Sequence, residues 1–129
     1  MVTKIISHRG RTSNESPDNT LQSIGDAIDF NIDMVEFDVR RTRDDQIVCF
    51  HDAEIGDKPL LSLSFSEVTE MNTQIPTLEQ VLRSAKGKIQ VDIDLKETGY
   101  ENEVINILRD YFEYDDFIMK SFEDRKSVV

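Results

Sequence analysis

Short apolar runs alternate along this chain with stretches whose apolar residues recur at helical spacing. Residues 3 to 7 form a short apolar run that predicts a buried strand ending at His8. After a polar loop from Gly10 to Ser16, the chain carries helix-start chemistry: Ser16 as N-cap, Pro17 at the first helical position and Asp18 in the first turn. Leu21, Ile24, Ala27 and Ile28 then follow at helical spacing. Met34 to Val39 predicts the next strand, continuing through Arg40 to Arg43, and Ile47 to Phe50 predicts another. The gap between them is too short for a parallel crossover, so an antiparallel hairpin is expected. A turn centred on Asp44 and Asp45 places His51 opposite Asp38, with Glu36, Asp38 and His51 facing one space.

Further along, Ser64 to Glu67 and Thr77 to Gln80 both have capping-box spacing, and the second opens a helix that ends near Gly87. Residues 89 to 96 alternate strictly, with Val91, Ile93 and Leu95 on one face and Asp92, Asp94 and Lys96 on the other. A helix from about Tyr100 to Phe112 and a strand from Phe117 to Lys120 complete the pattern, followed by Ser121-Phe122 and a polar tail. Strands and helices in alternation predict an α/β fold with parallel strands and helices packed outside them. Such folds gather functional groups at the carboxyl ends of their strands. His8, Glu36, Asp38, Asp94, Lys96 and Ser121 all fall at or near such ends.

With 129 residues, the chain has the length of a single domain spanning residues 1–129, and 38% apolar with 32% charged residues suits a globular protein. The 26 acidic against 15 basic residues leave a formal charge of −11, which argues against a nucleic-acid or anionic-membrane surface. A phosphate group would need bound metal and a few placed cations. The one cysteine, Cys49, lies within Ile-Val-Cys-Phe and is expected in the core of a protein from a reducing, cytoplasmic setting. No stretch approaches the about 20 apolar residues of a membrane span. The loop from Gly10 to Asn14 lacks the glycine density of a phosphate cradle, and Ser121 has no histidine motif beside it, so nucleotide-binding and serine-hydrolase readings gain nothing.

His8 and His51 are the only histidines in the chain, and they flank the carboxylate pair Glu36 and Asp38 in sequence. A metal held by carboxylates, with an imidazole on either side, is the equipment of phosphodiester hydrolysis. Against this stand plainer readings: alternating acids form solvated faces, Asp92 suits a structural role, and Asp52 orients His51 or bridges a loop. Asn19 and Thr20 suit a helix start, and Arg40, Arg41 and Arg43 suit a solvated hairpin tip.

The motifs together resemble the glycerophosphodiester phosphodiesterase family, within the barrel phosphodiesterases that include phosphatidylinositol-specific phospholipase C and sphingomyelinase D. His8-Arg9-Gly10, Pro17-Asp18-Asn19-Thr20, Glu36-Phe37-Asp38-Val39, Thr42-Arg43-Asp44, His51-Asp52, Ile93-Asp94-Leu95-Lys96 and Ser121-Phe122 occur in the family's order and spacing. Asp stands where the family usually has Glu at positions 18 and 94, so Asp94 has to come from a closer backbone or act through water. The resemblance implies a parallel (β/α) TIM-type barrel, of which the chain holds about half, the N-terminal part through roughly the fifth strand; the full barrel runs to about 250 residues. A second copy or a missing C-terminal half is then expected to cover the open sheet edges.

It further implies that Glu36, Asp38 and Asp94 hold one divalent cation, Ca²⁺ or Mg²⁺ with Mn²⁺ admissible, since all-oxygen donors suit hard ions. Arg9 and Lys96 would bind the phosphate, and His8 and His51 would be the acid and base, in an order left open. The implied reaction is hydrolysis of a small glycerophosphodiester to glycerol 3-phosphate and an alcohol. A lysophospholipid or sphingolipid substrate, or a non-catalytic binding module built on the same strands, are the alternatives.

Overall fold

In the computed structural model of the chain, residues 5–7 and 19–120 are described. Strand β1 (Ile6–Ser7), helix α1 (Leu21–Asp29) and strand β2 (Met34–Arg41) form the first unit, and β2 turns into β3 (Ile47–Cys49). A small hairpin of β4 (Glu54–Ile55) and β5 (Lys58–Pro59) precedes helices α2 (Phe65–Met71) and α3 (Leu78–Ala85). Strand β6 (Gln90–Leu95), helix α4 (Glu101–Tyr111) and strand β7 (Phe117–Lys120) follow. The main sheet runs β1-β2-β6-β7, all parallel, with β3 added antiparallel to the end of β2. Strands in sequence order with intervening helices are the arrangement of a (β/α) barrel. Four parallel strands are present among the described residues, and β3 is the antiparallel arm of the expected hairpin.

Strand β2 is buried on both faces through Arg40, as a central barrel strand must be. Val35, Phe37 and Val39 of β2 and Val91, Ile93 and Leu95 of β6 pack outward against Ile24 and Ala27 of α1, Val81, Leu82 and Ala85 of α3, and Val104 and Leu108 of α4. Burying a side chain such as Leu82 or Val81 contributes about 1.5–3 kcal/mol. The alternation therefore sends Glu36, Asp38, Asp92 and Asp94 to the opposite face, the barrel interior. Val48, Ile55, Leu60, Leu63, Val68 and Ile75 form a second, smaller core beneath the excursion that carries α2.

Helix α1 departs from the expected start. Its N-cap is Thr20, whose hydroxyl accepts from Ser23 N at 3.2 Å while Ser23 Oγ accepts from Thr20 N at 3.2 Å. A short Thr/Ser box satisfies the same orphan donors as a Ser/Glu box, but lacks the acidic partner that makes such boxes easy to see in sequence. Ser16, Pro17 and Asp18 lie outside the described residues. Both anticipated boxes are present, Ser64 with Glu67 and Thr77 with Gln80. Gly87, at φ 74°, follows the end of α3 in the left-handed conformation that suits a helix stop.

The β2–β3 hairpin forms as expected but in a different register. Val39 pairs with Cys49 and Arg41 with Ile47, so Phe50 lies opposite Asp38 and donates its N–H to Asp38 O at 3.0 Å. His51 is thus one residue past the position inferred from the sequence. The cause is the turn: Asp45 N–H donates to Thr42 O, Asp45 takes the left-handed conformation at φ 63°, and Thr42 N–H donates to Gln46 O. This is a three-residue loop closed by a left-handed residue, not a two-residue turn on Asp44 and Asp45. Thr42 Oγ1 donates to Asp44 Oδ1 at 2.6 Å and accepts from Gln46 N at 3.0 Å, which fixes the loop.

Candidate metal centre

Parallel pairing of β2 with β6 puts Glu36 beside Asp92 and Asp38 beside Asp94. Because side chains two apart on a strand share a face, the two strands present four interior carboxylates, all buried. Glu36, Asp38 and Asp94 each offer an oxygen within 4.8 Å of the others. The shorter side chain at position 94 therefore reaches the group, since its strand is the immediate neighbour of β2 in matching register.

Lys96, at the end of β6, sets its ammonium 3.1 Å from Asp94 Oδ2 and 3.4 Å from Asp38 Oδ1, with little exposure. Asn19, held at φ 57° just before α1, donates from Nδ2 to Asp38 Oδ2 at 3.2 Å and accepts from Asp38 N at 3.1 Å. Asn tolerates that backbone conformation better than most residues, and the double contact orients the Asp38 carboxylate. Asn19 is thus more than part of a helix start.

Asp92 is paired elsewhere. Its Oδ2 accepts from Lys120 Nζ at 2.8 Å, and that bond holds the Lys120 ammonium above its ordinary proton affinity, with the charges of Asp92, Glu36 and Asp94 adding to it. The expected structural role of Asp92 fits this pair, while Lys120 was not singled out in the sequence.

His51 follows the last rung of the hairpin and is half-exposed, its Nδ1 2.8 Å from Asp52 Oδ1. Its carbonyl accepts from Arg40 Nε at 3.0 Å and Nη2 at 2.6 Å, and Arg40 Nη1 donates to Glu97 Oε2 at 3.2 Å. Arg40 is buried rather than solvated as the basic run suggested, and Arg41 lies over the Tyr100 ring at 5.3 Å. Only Arg43 of the three is exposed, paired with Glu67 at 2.9 Å. Sequence reading missed Arg40 because a run of arginines beside a turn has the composition of a solvated tip; its position inside the strand ladder was the available signal. His8 and Arg9 lie outside the described residues.

A cavity of about 650 Å³ lies at the other end of the strands, against Asp33, Lys88, Gln90 and Arg109. Acids and bases line it together, Asp110, Glu113 and Asp116 beside Lys86, Lys88 and Arg109, whereas barrel chemistry belongs at the carboxyl ends, where Asp38, Asp94 and Lys96 sit. No helix among the described residues is long and apolar enough to cross a membrane.

Comparison with known proteins agrees with this architecture. The protein named putative glycerophosphodiester phosphodiesterase YhdW of Bacillus subtilis is 33% identical over 141 residues, covering 94% of this chain and 58% of its own length. The crystal structure of a glycerophosphodiester phosphodiesterase from Thermotoga maritima superposes with a TM-score of 0.83 at 28% identity, over 95% of this chain and 56% of that one. A phosphodiesterase of Oleispira antarctica, solved in complex with the product sn-glycerol-3-phosphate, superposes with a TM-score of 0.79 at 26% identity, over 95% of this chain and 58% of that one. The chain thus spans little more than half the length of the relatives it matches, and its fold is the corresponding part of their TIM-type barrel. The model of the glycerophosphoryl diester phosphodiesterase family matches residues 8–128, which takes in every strand and helix described above from α1 onward, and the chain belongs to that family.

Proposed function

We propose that Glu36, Asp38 and Asp94 hold one divalent cation and that the chain serves hydrolysis of glycerophosphodiesters to glycerol 3-phosphate and an alcohol. The observation that carries this reading is the convergence of three buried carboxylates within 4.8 Å. Lys96 lies beside two of them, at 3.1 Å from Asp94 and 3.4 Å from Asp38. The donors are all oxygen, which suits a hard ion. Oxygens within 4.8 Å of one another are close enough to share one such ion.

When bound, the cation would neutralise phosphate charge as a Lewis acid. Lys96, and Arg9 by family resemblance, would take up the remaining negative charge of the phosphate. His8 and His51 would act as general acid and base, each contributing about 10²–10⁴-fold. Asp52 accepts from His51 Nδ1, which favours the tautomer protonated there and leaves Nε2 as the acceptor for a proton. Held in this way, the ring can take a proton at Nε2 as a base or give one there as an acid. The relative from Oleispira antarctica holds sn-glycerol-3-phosphate, which supports the same product here.

The test uses the whole chain. Titration with Ca²⁺ should raise its melting temperature, Glu36→Gln should remove that rise, and glycerophosphocholine should release glycerol phosphate. Metal stabilisation without release would favour a binding module, and neither effect would end the proposal.

A further inference from the structure

Beyond the carboxylates and histidines, one buried side chain makes contacts that serve no other part of the site. Arg40 projects from β2 two residues after Asp38 and is 9% exposed. Two of its nitrogens donate to a single acceptor, the carbonyl of His51, at 2.6 and 3.0 Å. The third donates to Glu97 at 3.2 Å. Glu97 is itself braced by the Tyr100 hydroxyl at 3.3 Å, and that hydroxyl also lies 3.1 Å from Val39 O.

This arrangement ties together two loops that regular structure leaves loose. His51 lies beyond the end of β3, and Glu97 lies just beyond the end of β6, next to Lys96. A guanidinium is planar and always charged, and its fork can hold one carbonyl in a fixed direction where an ammonium offers a single movable donor bond. The register described above makes such a device necessary: the ladder alone sets Phe50, not His51, opposite Asp38.

We infer that Arg40 is a positioning residue for His51, holding its main chain in place relative to the carboxylate group, with Glu97 as the anchor that keeps the guanidinium turned toward it. The inference rests on the proposed use of His51 in hydrolysis. Arg40 touches neither substrate nor metal in this role; it acts through the placement of an imidazole and links that placement to the loop bearing Lys96.

A double-mutant cycle on the whole chain, with Ca²⁺ and glycerophosphocholine, separates this from a merely structural role. Arg40→Met should lower kcat by about 10- to 100-fold with KM little changed, since a misplacement of about 1 Å costs up to that much. Arg40→Lys should recover part of the loss, and Arg40→Met should cost little once His51→Ala is present. Equal losses in both backgrounds, or no loss at all, would overturn the inference. If His51→Ala itself leaves turnover unchanged, or the chain releases no product, the proposed use of His51 fails instead. The placement is then decided by NMR. The chain has two histidines, so the signals lost in His51→Ala identify its ring. Arg40→Lys and Glu97→Gln should shift and broaden those signals while the remaining spectrum stays folded; unmoved His51 signals would refute the positioning role.

Discussion

Replacing Glu36 by Gln removes one of three clustered negative charges while keeping the shape of the side chain. The three carboxylates lie within 4.8 Å of one another. At an effective dielectric of about 20, each pair at that distance repels by about 3.5 kcal/mol. Glu36 takes part in two such pairs, but its attraction to the Lys120 ammonium offsets much of the repulsion, so the gain on removing the charge is about 1–3 kcal/mol. For a domain of this size that is a rise in melting temperature of about 3–5 °C per kcal/mol. Ca²⁺ reverses the order: at one hundred times its dissociation constant a bound ion stabilises the native protein by about 2.7 kcal/mol. Glu36→Gln, which keeps an oxygen but loses the negative charge, should gain less of this. Differential scanning calorimetry in chelator and in excess Ca²⁺ should therefore show the two melting curves crossing, the variant more stable without the ion and the wild type more stable with it. A variant that is less stable in chelator, and stabilised by Ca²⁺ as much as wild type, would refute the reasoning that these acids share one ion.

Four further outcomes are expected. His8→Ala and His51→Ala should each lower turnover by about 10²–10⁴-fold with the circular dichroism spectrum unchanged; near-normal rates for both would remove them from the chemistry. Lys120→Met strands the buried Asp92 carboxylate and should cost about 1–3 kcal/mol in urea denaturation, a loss that Lys120→Met with Asp92→Asn largely restores. Asp44 is held below its ordinary value of 3.8, first by the Thr42 hydroxyl, and Glu67 below 4.5, first by the Ser64 N–H. Because the folded-state values are depressed, the stability they contribute is present above those ordinary values and lost as pH falls through the folded ones, so Asp44→Asn with Glu67→Gln should flatten the fall in stability below about pH 4. Burial pushes the Cys49 thiol up, with the Asp38 charge adding to it, so iodoacetamide should leave Cys49 unmodified in native protein and alkylate it in urea; rapid native alkylation would contradict the packing of β3.

Much of this was legible in the residues themselves. Hydrophobic periodicity and capping chemistry are local, so β2, β6, α3, α4 and β7 lie close to where the pattern of apolar positions puts them. The alternation of Asp92 and Asp94 with Val91, Ile93 and Leu95 already separates an acidic face from a core face. The β4–β5 hairpin was overlooked although Gly56-Asp57 between two short strands is a recognised turn signal, with Gly56 at φ 63°. The strands are too short for alternation to stand out.

What the sequence by itself determined was therefore which residues share a strand face, where α2, α3 and α4 begin, and the family motifs that single out Glu36, Asp38, Asp94 and Lys96. Only the tertiary structure decided how the strands align. Nothing in the residues of β2 or β6 names Asp38 and Asp94 as neighbours, and nothing in the arginine run says that Arg40 turns inward to the His51 carbonyl. A left-handed Asp45 moved the hairpin by one residue and set Phe50 opposite Asp38. Periodicity is a property of one segment, whereas register and burial depend on the energy of two segments meeting, and that meeting is what makes three separate acids a single site.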